Sequence, residues 1–99
     1  MKVDKTQSGT ELTVALEGRL DTTASPELEA ALAGLSGVTK LVIDMAKLIY
    51  VSSAGLRVLL AAQKKMDGNG GSMVIRNANE EIHEIFEVTG FDEILTLEA

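Results

Sequence analysis

The feature that most constrains this chain is a repeated exchange between two periods of apolar residues. Leu12, Val14 and Leu16 alternate with Thr13, Ala15 and Glu17, the period of a half-buried strand. Leu28, Ala31, Leu32 and Leu35 then follow the i, i+3, i+4, i+7 spacing of a helix. Leu41-Val42-Ile43 is a continuous apolar run between turn signals, which fits a strand covered on both faces. The exchange recurs twice. Strands that alternate with single helices imply parallel neighbours joined by right-handed crossovers.

Punctuation residues place the elements. Val3 to Gln7 reads as an edge strand, and Ser8-Gly9-Thr10 as the turn that makes a hairpin with the next strand. Gly18 to Thr23 reads as a polar loop. Ser25 is a suitable N-cap for the first helix, with Pro26 at its first position and Glu27 and Glu29 in its first turn. Met45 to Val51 reads as a short irregular connection whose Leu48, Ile49 and Tyr50 are available for packing. A second helix is expected over 53–66, ended by Gly68-Asn69-Gly70-Gly71. Ser72 to Arg76 is a short strand around Met73-Val74-Ile75. Asn79 caps a third helix with Ile82, Ile85, Phe86 and Thr89 on one face, Gly90 and Phe91 ending it. Ile94, Leu95 and Leu97 make a last short strand or tail. The expected order is β-β-α-β-α-β-α-β.

At 99 residues the chain suits one domain, expected over 1–99, with a core that needs no disulfide or metal. It contains no cysteine, which removes thiolate chemistry and fits a reducing cytoplasm, the expected location. No apolar run reaches spanning length, so direct membrane insertion is not expected. Lys plus Arg is 9 against 15 for Asp plus Glu, a net charge of −6 that phosphate backbones repel. With Tyr50, Phe86 and Phe91 as its only aromatics, the chain has no base-stacking platform, and nucleic acid is an unexpected ligand. His83 sits among glutamates on another helix and no G-x-S-x-G elbow is present, so catalysis is not expected. No metal site and no cofactor are expected either.

The chemistry that remains lies at the start of the second helix. In an open parallel sheet ligands gather at the carboxyl ends of strands. The loop after the second strand should meet the one after the central strand there, bringing Asp21 near Ser52 and Ser53. From the residues alone Ser53 reads as an N-cap, and Asp21 as the hydrogen-bonding residue of its own loop. A helix N-terminus also attracts phosphate, and Arg57 lies four residues beyond Ser53. The second helix has an unusually wide apolar arc that takes in Leu60, with Arg57, Gln63, Lys64 and Lys65 as its polar residues. Such an arc means deep burial or a partner face.

The order and spacing of these pieces resemble a known family. Gly18-Arg19-Leu20-Asp21, Leu41-Val42-Ile43-Asp44, Tyr50-Val51-Ser52-Ser53-Ala54-Gly55-Leu56 and Phe86-Glu87-Val88-Thr89-Gly90-Phe91 are similar to the STAS domain, specifically to bacterial anti-sigma factor antagonists. The resemblance covers essentially the whole chain. It implies a single α/β domain with a mixed, mostly parallel sheet of four to five strands and helices mainly on one face. It implies partner switching: the unphosphorylated protein binds an anti-sigma factor or related serine kinase, and phosphorylation of Ser53 releases it. A metal-dependent serine phosphatase would reverse the step. Asp21, Thr22, Ser52, Ser53, Ala54, Gly55, Arg57 and Leu60 would form the partner-binding surface. The family often has Asp before the acceptor and Ser or Thr after it. Ser52 and Ala54 depart from that pattern and make Ser52 an alternative acceptor. The alternative function is a constitutive, unphosphorylated STAS subunit of a membrane transporter or larger signalling complex.

Overall fold

The computed structural model describes residues 1–98. A sheet of five strands runs in the order β1-β2-β3-β4-β5, with β1 Lys2–Ser8, β2 Glu11–Leu20, β3 Lys40–Val51, β4 Ser72–Arg76 and β5 Leu97–Glu98. Helices α1 Ser25–Ala31, α2 Ser53–Gly68 and α3 Glu80–Thr89 connect the parallel strands, and a short 3₁₀ turn Phe91–Glu93 precedes β5. β1 and β2 form the expected hairpin, and every later neighbour is parallel.

Because sheet order equals chain order, each right-handed crossover steps in the same direction, so each helix lands on the same face. The core shows this directly. Leu12, Val14, Leu16, Leu41, Ile43, Met73 and Ile75 alternate onto one face and pack with Leu28, Leu59, Met66, Ile82 and Phe86 from the helices. The expectation of cover on both faces for Leu41-Val42-Ile43 is met in burial, since all three residues are fully buried. Val42 is buried on the opposite face without joining this core, flanked in register by Thr13 and Val74.

Three boundaries differ from the sequence reading, each for a physical reason. β2 runs through Gly18-Arg19-Leu20, and β3 through Met45 to Val51, where a loop and an irregular connection were expected. Register shifts between Ala15 and Glu17 and between Gly18 and Arg19 absorb the extra residues of β3. The buried residues there, Met45, Leu48 and Val51, fall three apart, which hides the period of a strand. The Asp44 carboxylate accepts from the Ala46 N–H at 2.9 Å across this stretch. Ile49, expected to pack, is instead 57% exposed.

α1 ends at Ala31, so Leu32 and Leu35 are buried from irregular chain. Ser25 is its first residue and not its cap: the Ser25 hydroxyl donates to the Asp21 carbonyl at 2.7 Å, while the Asp21 carboxylate accepts from the Ala24 N–H at 2.8 Å. Gln63, read as a polar-face residue, is buried and donates to Asp67 Oδ1 at 2.9 Å.

α3 begins as expected. Asn79 Oδ1 accepts from the Ile82 N–H at 2.8 Å, and its Nδ2 donates to the Leu48 carbonyl of β3 at 3.2 Å. Its end is an αL Gly90 with φ 77°. Asn79 thus ties a cap to the central strand. Asn79→Ala should cost about 1–2 kcal/mol, the sum of a lost cap and a lost tertiary bond. A urea titration should show a lower midpoint with an unchanged slope.

Candidate functional site

The start of α2 is fixed by what lies against it. The Ser52 N–H donates to the Leu20 carbonyl at 2.8 Å, joining the end of β3 to the end of β2. A Cβ on Gly55 would lie 2.6 Å from Leu20 Cγ and 3.1 Å from the Leu20 oxygen. Only a residue without a side chain lets the first turn of α2 approach Leu20 this closely. The residue after Leu20 is Asp21, so this contact sets the Asp21-Thr22 loop beside α2.

Ser52 and Ser53 divide the work that the sequence left undivided. Ser52 is the N-cap: its backbone is extended, its Oγ accepts from the Gly55 N–H at 3.1 Å, and its carbonyl accepts from the Leu56 N–H at 2.9 Å. It is 7% exposed. Ser53 is the first helical residue and lies exposed. The N-cap reading of Ser53 is therefore corrected to Ser52. The backbone N–H groups of Ser53 and Ala54 precede the helical ladder and lack intrahelical acceptors.

Thr22, Ala54 and Arg57 line one end of a groove of about 560 Å³ between α1 and α2. Asp21 stays one residue back, half-buried, with its carboxylate committed to its own loop. Gly55 is buried beneath the site. Leu60 is half-buried on α2 and does not line the groove. The wide apolar arc of α2 is mostly burial: Leu56, Val58, Leu59, Ala62 and Met66 are all covered. Two features were not read from the sequence. Arg19 stacks over the Tyr50 ring at 4.5 Å, and Ile49, next to Tyr50 in the chain, is exposed. Arg19 and Tyr50 are register partners, a relation that the hidden β2–β3 pairing put out of reach.

Among the described residues there is no cluster of His, Cys, Asp or Glu fit to hold a metal, and no helix is long and apolar enough to cross a membrane. A sheet whose order never reverses also lacks the switch-point crevice in which α/β folds hold small ligands. What the arrangement presents is a surface: an exposed hydroxyl, free N–H groups, a guanidinium four residues on and a groove beside them.

Residues 3–97 match the family model described as Mlab, STAS domain. The chain belongs to the STAS domain family. BtrV of Bordetella bronchiseptica is 35% identical over 82 residues, which cover 81% of this chain and 71% of that protein. The anti-sigma-B factor antagonist of Bacillus subtilis is 28% identical over 100 residues, covering 100% and 92%. The fold matches the unphosphorylated form of the Bacillus anti-sigma factor antagonist SpoIIAA with a TM-score of 0.79 at 15% identity, covering 99% of this chain and 88% of that one. Its phosphorylated form matches with a TM-score of 0.77 at 16% identity, covering 99% and 92%. At such identities the likeness is one of fold.

The two serines of this STAS domain should separate in stability measurements. Ser52→Ala should cost about 1 kcal/mol as a lost cap, and Ser53→Ala less than about 0.5 kcal/mol as an exposed change. Thermal denaturation of both variants checks the ranking. For Gly55→Ala, overpacking of about 1–3 kcal/mol opposes a helix-propensity gain of up to about 1 kcal/mol. Net destabilisation that Leu20→Ala partly relieves in the double variant is the expected result.

Proposed function

We propose that this STAS domain is an anti-sigma factor antagonist in a partner-switching pathway, and that Ser53 is its phosphoacceptor. The observation that carries the reading is the division between Ser52 and Ser53. Ser52 is buried and engaged as the cap, so its modification would break the start of α2. Ser53 is exposed one residue on, where a kinase can reach the hydroxyl without disturbing the helix. The names of the chain's relatives, anti-sigma factor antagonists, support the binding role, while the acceptor assignment rests on the geometry.

In the proposed reaction Ser53 Oγ attacks the γ-phosphorus of an ATP held by the kinase. ADP leaves, and the hydroxyl proton passes to a base of the kinase. The product meets a favourable setting within this chain. The free N–H groups of Ser53 and Ala54 and the positive end of the α2 dipole favour a phosphate there, and Arg57 lies on the same side of the helix one turn on. The setting is unfavourable for a close partner. The phosphate adds a charge of about −1.5 to −2 to a chain already at −6. A partner packed on this end of the molecule must then desolvate that charge or leave. A metal-dependent serine phosphatase would restore the binding form. The protein itself acts by binding and not by catalysis.

The test uses the purified protein, an anti-sigma factor with serine kinase activity, and ATP. Mass spectrometry should find phosphate on Ser53 and none on Ser52. Modification of Ser52 or of a remote residue alone would remove the site assignment. In titration calorimetry Ser53→Asp should bind the anti-sigma factor at least about tenfold more weakly than wild type, a change of about 1.4 kcal/mol. Ser53→Ala should stay close to wild type. Equal affinity of all three forms would reject the switch.

A further inference from the structure

The groove between α1 and α2 has a charge pattern that extends beyond the Ser53 switch and shares only Arg57 with it. Its α2 wall carries Arg57, Ala61 and Lys65, each four residues from the next and so on one side of the helix. Val58 and, from beyond α1, Leu32 supply apolar lining, and Glu29 of α1 is the acidic residue of the lining. The ion pairs among the described residues are Lys40–Glu11 and Arg76–Glu98, so Arg57 and Lys65 stand free of both. Arg57 and Lys65 thus give the α2 wall of the groove a basic character on a chain of net charge −6. With a rise of about 1.5 Å per residue, the two cations lie about 12 Å apart along α2, with the small Ala61 midway.

We infer that this groove receives an acidic amphipathic helix of the partner, laid along α2 with an apolar side chain over Ala61 and carboxylates at Arg57 and Lys65. The identity of that partner rests on the anti-sigma factor reading above; the groove and its chemistry do not. Charge complementarity selects an acidic segment over a basic one. A groove open along its length suits a helix, whose apolar stripe needs a trough and whose flanks stay wet. The groove is also continuous with the switch, since Thr22, Ala54 and Arg57 line its end next to Ser53. A phosphate on Ser53 would draw Arg57 to itself. Phosphorylation then removes one of the partner's two anchors as well as adding repulsion.

The test is calorimetric titration of the unphosphorylated protein with the purified anti-sigma factor, using variants remote from Ser53. Ala61→Glu puts a carboxylate one turn from each cation, where it competes with the partner's carboxylates and fills the trough. Lys65→Glu reverses one anchor. Lys64→Glu makes the same change in net charge on an exposed position outside the groove. Circular dichroism and melting temperature establish that each variant folds. Ala61→Glu and Lys65→Glu should each weaken binding about tenfold or more, and Lys64→Glu less than about threefold. Arg57→Gln should weaken binding and also shrink the further loss caused by Ser53→Asp. If Lys65→Glu matches Lys64→Glu, or Ala61→Glu binds as wild type, while Ser53→Asp still weakens binding, the groove is overturned and the switch stands. If the groove variants weaken binding and Ser53→Asp does not, the groove stands and the switch falls.

Discussion

The structure of this end of the molecule depends on the closeness of Gly55 to Leu20. The contact leaves no room for a Cβ, and the hydrogen bond from the Ser52 N–H to the Leu20 carbonyl holds it from the other side. Together they lock the carboxyl ends of the two longest strands to the first turn of the longest helix. Everything proposed for the surface follows from that lock. It buries Ser52 into the cap, turns Ser53 outward, and sets Thr22 across the groove from α2.

Sheet order supplies the second constraint. A monotonic order puts the helices on one face and removes the crevice that a reversal would create. The loops and the helix end at the start of α2 are where the proposed partner surface then sits. The side-by-side helices leave a trough, lined on its α2 side by the small side chains of Ala54 and Ala61 among others. The same one-sided layering explains why so wide an apolar arc on α2 can be buried: the helix is flanked by α1 and covered below by β3 and β4.

Much of this was legible in the residues. Alternation at Leu12, Val14 and Leu16, helix spacing in α2 and α3, and the Asn79 and Gly90 caps gave the element order, because each reflects local geometry. The family resemblance, since met by a match over residues 3–97, supplied the layering that periodicity did not. What escaped was set by tertiary structure. Bulges converted the end of β3 from a period of two to a spacing of three at Met45, Leu48 and Val51. Adjacent serines have the same capping propensity, so only the packing of Leu20 against Gly55 decides that Ser52 takes the role. Asp21 holds its own loop as read, while Ser25 is drawn off the cap position because its hydroxyl donates to the Asp21 carbonyl. Gln63 looked polar and proved buried; its amide nitrogen finds Asp67 one turn away, while its amide oxygen is buried without a partner among the described residues.

The split between a serine that builds the helix and a serine that faces outward has an evolutionary reading. A fold that used one residue for both tasks could not lose its regulation without losing stability. Here position 53 can drift to Ala, Asp or Asn with little effect on folding, while position 52 stays under structural selection. If Ser53 is the acceptor proposed above, lineages descended from such a chain gain, lose or fix the switch by changing that one position, and the domain around it survives each step.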